Sequence, residues 1–95
     1  MLKLDLSKQS LKFVQNLPPK QFRQVFNKIV ELMIDPNPTD SIKLTGSPYK
    51  RSDIGEYRII YNVENDCVKI YYTGKRNDAD VYKLLNKWSS KVPGK

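Results

Sequence analysis

Glu56-Tyr57-Arg58-Ile59-Ile60-Tyr61-Asn62-Val63, then Glu64-Asn65-Asp66, then Cys67-Val68-Lys69-Ile70-Tyr71-Tyr72-Thr73 is the stretch that decides the fold class. Both flanks are dense in β-branched and aromatic residues and the tripeptide between them favours a turn, so the stretch reads as two long antiparallel strands. Strand alternation puts Tyr57, Ile59, Tyr61 and Val63 on one face, with Glu56, Arg58, Ile60 and Asn62 on the other. It divides the second strand into Val68, Ile70 and Tyr72 against Cys67, Lys69, Tyr71 and Thr73. One face of this sheet is strongly apolar and needs a cover. The opposite face is mixed, cationic and aromatic, and Arg58, Lys69 and Tyr71 should share it.

The cover comes from upstream. Pro18-Pro19 stops one helical pattern (residues 8 to 17, with Leu11, Phe13, Val14 and Leu17) and opens another, whose stripe is Phe22, Val25, Phe26, Ile29, Val30 and Met33. Ser7 offers its hydroxyl as N-cap to the first. Ahead of it, Leu2, Leu4 and Leu6 alternate with Lys3 and Asp5, the period of a half-buried strand. Pro36-Asn37-Pro38 ends the helical hairpin, and the stretch to Pro48 reads as a loop. Tyr49 to Ser52 reads as a short strand that completes a three-stranded meander. Asn77 or Asp78 should cap a last helix with the stripe Val81, Leu84, Leu85 and Trp88, and 89–95 should form a loose tail. The expected architecture is α+β, a single domain over 1–95.

Composition bounds the function. The chain has 95 residues, 39% of them hydrophobic, enough for one small core. It carries no histidine and a formal net charge of +7, a surface suited to phosphate backbones, anionic lipid or an acidic partner. Neither helical pattern joins a strongly basic polar face to an aromatic-rich apolar one, which disfavours a membrane-surface role, and no apolar run approaches the roughly 20 residues of a membrane helix. Cys67 has no second cysteine to bridge and no basic or histidine neighbour to activate it, so it reads as inert. With no charged-then-apolar leader at Met1-Leu2-Lys3-Leu4-Asp5, the expected location is cytoplasmic.

The order strand, helix, helix, meander, terminal helix resembles the RelE/ParE superfamily of bacterial and archaeal toxins over nearly the whole chain. Glu56-Tyr57-Arg58-Ile59-Ile60-Tyr61, followed after one hairpin by Gly74-Lys75-Arg76 and Val81-Tyr82, looks like the RelE branch. The resemblance implies a toxin of a type II toxin-antitoxin system that enters the ribosomal A site and cuts messenger RNA, with Arg58, Arg76 and Tyr82 as catalytic residues. It also implies a cognate antitoxin as partner, beside the ribosome and mRNA, with operator DNA engaged only as a complex with the antitoxin. An antitoxin that wraps the toxin with helical segments would cover the helical hairpin and the cationic sheet face. Two rival readings are a ParE-like inhibitor of DNA gyrase, which would need no catalytic tyrosine, and a non-enzymatic nucleic-acid or antitoxin-binding module.

The residues support a cleavage chemistry without cofactor or metal. RNA carries its own nucleophile, the 2′-hydroxyl, so an enzyme need only deprotonate it, stabilise charge developing at phosphorus and protonate the leaving 5′-oxygen. Arg58 suits the phosphate clamp because its planar fork stays charged at any working pH. Arg76 would serve the leaving side, and Tyr82 would be the base, its pKa lowered by Lys50, Arg51, Lys75 and Arg76. Lys50, Arg51, Lys69 and Lys75 are candidate phosphate contacts and Tyr71 a candidate stacking surface for single-stranded RNA. Lys50 and Arg51 are adjacent and fall on opposite sides of any strand, so one of them faces the substrate. The plain alternatives are that Arg58 pairs with Glu56 or Asp53, that Tyr82 packs in a core, and that Arg76 belongs to a solvated turn. Asp53, Glu56, Asp78 and Asp80 would place negative charge beside the site.

Overall fold

A computed structural model describes residues 1–76 of the chain. The expected terminal helix and tail lie outside the described residues. Strand β1 (Lys3–Leu6) leads into helices α1 (Lys8–Gln15) and α2 (Pro19–Ile34), and the chain then runs through β2 (Ser41–Lys43), β3 (Lys50–Ile54), β4 (Tyr57–Glu64) and β5 (Cys67–Lys75). The five strands form one sheet in the order β1-β5-β4-β3-β2, antiparallel from β2 to β5, with β1 parallel to β5. The α+β expectation holds, with one addition: β2 lies inside the segment expected to be a loop and extends the meander to four strands.

The local signals act as the residues dictate. Ser7 Oγ accepts the Ser10 amide at 3.1 Å and caps α1, and Pro19 opens α2, where its missing N–H costs nothing. Asn65 and Asp66 both take positive φ, so the β4–β5 turn is of type I′, matched to the twist of a hairpin. The β3–β4 turn has positive φ at Gly55 alone, as a type II′ turn requires. A Cβ on Gly55 would come within 2.7 Å of the Gln24 side chain on α2, a second reason for glycine there.

The helices cover one face of the sheet. Val14, Val25, Ile29 and Leu32 meet Tyr57, Ile59, Tyr61, Val68 and Ile70, with Leu2, Leu4, Leu6 and Phe13 packed around them. Phe22 and Phe26, expected in the core stripe, instead stack on each other at 5.8 Å on the outside of α2, 37% and 46% exposed. Lys28 is buried on α2, and its ammonium meets Asp40 at 2.6 Å and Glu31 at 3.7 Å. Burial alone would lower its pKa; the Asp40 hydrogen bond and both carboxylate charges outweigh that and raise it, so Lys28 stays charged. With the Tyr61 hydroxyl donating to the Pro36 carbonyl at 2.7 Å, this pair ties the segment before β2 to the body.

Strand alternation fails at one place. Ile60 pairs with Tyr72 and Tyr61 with Ile70, which leaves Tyr71 as the extra residue of a β-bulge. Beyond it the phase inverts. Tyr72, expected on the helix-covered face, packs with Ile60, Leu44 and Tyr49 on the opposite face. Thr73, expected on the open face, is fully buried against α1, where its hydroxyl donates to Ser10 Oγ at 3.0 Å.

Candidate active site

Arg58 stands on β4 on the face away from the helices. Its neighbour on β3 is Asp53 and its neighbour on β5 is Gly74. Only 8% of the residue is exposed, so a buried cation has to find its counter-charge nearby. Asp53 supplies it: Oδ1 accepts from Nε at 2.8 Å and Oδ2 from Nη2 at 3.2 Å, a two-point contact along one edge of the guanidinium. On the other side Gly74 has no side chain, and the Tyr72 ring fills that place. A Cβ at Gly74 would lie 2.7 Å from the ring carbons Cε2 and Cζ.

Arg76 follows β5 directly. Its amide donates to the Glu56 carbonyl at 2.8 Å and its Nη1 to the Gly55 carbonyl at 3.1 Å, which fastens the end of β5 to the β3–β4 turn. Its Nε lies 3.8 Å from Asp53 Oδ2, so two arginines, one on β4 and one just past β5, converge on one carboxylate. Burial pushes Asp53 up, but the Arg58 hydrogen bond and the charges of Arg58, Arg51 and Arg76 hold its pKa below the ordinary 3.8. The carboxylate is therefore ionised at neutral pH and is outnumbered three to one by guanidinium groups. A recess of about 320 Å³ lined by Gly55, Glu56, Lys75 and Arg76 opens beside this turn.

The other expected site residues divide by face and distance. Arg51 pairs across the sheet with Ile60 and shares the face of Asp53 and Arg58. Lys50 pairs with Tyr61 on the helix-covered face, and its ammonium is bonded to Asn37 Oδ1, so it does not join the arginines. Lys75 is exposed at the mouth of the recess. Lys69 lies five residues from Gly74 along β5, about 16 Å at roughly 3.3 Å per residue. It pairs with Glu64 at 3.2 Å, and that hydrogen bond and charge raise its pKa. Tyr71 meets Tyr49 edge to face at 4.8 Å. Burial and then the Glu64 charge raise its pKa, so its hydroxyl stays protonated. Tyr82 lies outside the described residues.

Of the two carboxylates that the sequence offers Arg58, Asp53 is its partner in the structure. Asp53 is the centre of the arginine group, a role the sequence signals only through strand phase, since Asp53 and Arg58 flank a two-residue turn at equal distances and must face each other. Glu56, the other of the two, sits in that turn and lines the recess.

No protein-family model matches the chain, and a search of curated proteins finds no match. Solved structures do match. A chain of the archaeal RelE–RelB complex from Pyrococcus horikoshii is 30% identical, with a TM-score of 0.71 over 82% of this chain and 98% of that one. A mutant of the Escherichia coli toxin RelE in the free state is 26% identical, with a TM-score of 0.74 over 92% of this chain and 96% of that one. A chain of the YoeB–YefM complex from Staphylococcus aureus, 20% identical with a TM-score of 0.65 over 82% of this chain and 99% of that one, shares the fold. The order of elements, the convergence of arginines at the β3–β4 turn and these matches agree: the chain belongs to the RelE family of toxins.

Proposed function

We propose that this toxin is an endoribonuclease that cuts messenger RNA in the ribosomal A site by attack of the RNA's own 2′-hydroxyl, without a metal ion. The observation that carries the reading is the convergence of Arg58 and Arg76 on the single carboxylate of Asp53, an arrangement of donors able to hold an anion. In the reaction Arg58 stabilises the charge that grows on the phosphoryl oxygens as the 2′-oxygen attacks. Arg76, 51% exposed along its side chain at the edge of the recess, meets the leaving side. Tyr82 takes the 2′-hydroxyl proton, and the 5′-oxygen leaves with a proton from solvent or a neighbouring acid. The net charge of +7 favours a ribosomal RNA surface.

The partner in this reading is an antitoxin, because the matching structures include complexes of RelE with RelB, and the net charge of +7 favours an acidic one. The exposed Phe22–Phe26 pair and Leu11 on the helical hairpin give its apolar residues a seat, and the cationic surface attracts its charge. The cytoplasm is where both the ribosome and the antitoxin would be met.

The test is cleavage of a defined message in a purified translation system, mapped by primer extension with and without ribosomes, for wild type and Arg76→Ala. Cuts confined to ribosome-bound message, and reduced at least about 100-fold in the variant, are expected from loss of one charge-stabilising group. A message left intact by wild-type protein at saturating concentration refutes the reading and directs attention to gyrase-dependent DNA breaks.

A further inference from the structure

We propose that Asp53 is a positioning residue of the active site: its carboxylate sets the plane of the Arg58 guanidinium and draws Arg76 toward the same point. The inference rests on the ribonuclease reading above and adds to it a residue of the opposite charge from those expected to meet RNA.

Three observations carry it. The first is geometric. Asp53 contacts Arg58 at Nε and Nη2 together, 2.8 and 3.2 Å, and two contacts to a rigid planar group fix its orientation where one would leave it free to pivot. The second is the rigidity of the anchor. Asp53 sits on β3 directly across from Arg58 of β4 and next to the fully buried Ser52, the last β3 residue that β2 also pairs. The third is sharing. Asp53 Oδ2 faces both Arg58 Nη2 and Arg76 Nε, so one oxygen joins two cations that would otherwise repel each other.

A solvating ion pair would have no need of this arrangement. Charge stabilisation in a transition state depends on donors already held where the charge will appear, and a misplacement of about 1 Å costs on the order of 100-fold in rate. Asp53 is suited to hold the Arg58 guanidinium by its Nε edge and so to fix the plane in which the group would meet phosphate. Because Arg51, Arg58 and Arg76 outnumber it, its negative charge organises the cations without cancelling their attraction for RNA.

The experiment is single-turnover cleavage of ribosome-bound message by wild type, Asp53→Asn and Asp53→Glu, each also in an Arg58→Lys background, with thermal melts to establish folding. Asp53→Asn replaces one acceptor by a donor at unchanged size. Asp53→Glu keeps the charge and moves it by one methylene, so it preserves the ion pair and decides the question should the Asn variant fold poorly. The expected result is a maximal rate lowered about 10- to 100-fold in both variants, half-saturation within about threefold of wild type, and a smaller loss in the Arg58→Lys background, where only the hold on Arg76 is left to break. Wild-type rates in Asp53→Glu, or a loss that multiplies with that of Arg58→Lys, overturn the inference and leave Asp53 a support of the fold. A wild type that cuts nothing refutes the ribonuclease reading itself, and the inference with it.

Discussion

Gly74 shows how one missing side chain arranges a site. It lies directly across from Arg58 on a strand whose other residues nearly all carry bulk, and the Tyr72 ring occupies the space a Cβ would need. Gly74→Ala must displace that ring and the cluster of Ile60, Leu44 and Tyr49 around it. The expected cost is about 1 to 3 kcal/mol of stability from overpacking, read as a lower urea midpoint with an unchanged slope; an unchanged midpoint would mean the ring moves freely. At this scale the sequence was partly legible. The arginines stood out by type and setting, and the pairing of Arg58 with Asp53 was among the alternatives. The face of Tyr72 was not legible, because the bulge at Tyr71 inverts the phase of β5 and nothing in Ile70-Tyr71-Tyr72-Thr73 marks it.

At the scale of elements the bulge has a consequence for the end of β5. Strand β1 stops at Leu6, opposite Ile70, after which the Ser7 amide donates to the Ile70 carbonyl and the chain turns into α1. Past that point β5 has lost its parallel neighbour. Gln9 stands in for it: its side-chain amide donates to the Thr73 carbonyl at 2.7 Å and accepts the Thr73 amide at 3.0 Å. The residues held this way lead straight into Gly74-Lys75-Arg76, so α1 fixes the strand that delivers Arg76. Gln9→Ala leaves both backbone groups of Thr73 unmet and should cost about 1 to 3 kcal/mol, with faster amide exchange at Thr73 as the direct readout. Unaltered exchange there would show that water replaces the glutamine without loss. Helices, caps and the β4–β5 turn were legible because proline, serine and Asn-Asp act locally. Strand β2 was not, since Ser41-Ile42-Lys43 is too short for alternation to register and it forms only because β3 offers an edge.

For the whole molecule, charge and fold serve one end. A sheet clad on one side by two helices leaves the other side to carry guanidinium groups from β3, β4 and the end of β5, and the recess at the β3–β4 turn opens beside them. The cations did not all gather there as expected. Lys50 faces α2's side of the sheet and Lys69 lies at the far end of the hairpin with Glu64, because strand phase and register, rather than proximity in sequence, decide which charges meet. The central claim is that Arg58 acts through its fork of donors and not merely through its charge. The most direct measurement is the single-turnover rate of Arg58→Lys on ribosome-bound message at saturating toxin. Lysine keeps the charge and can still meet Asp53, so folding should persist while the two-point geometry is lost. The account predicts a fall of about 100-fold or more. A rate within about threefold of wild type would contradict it.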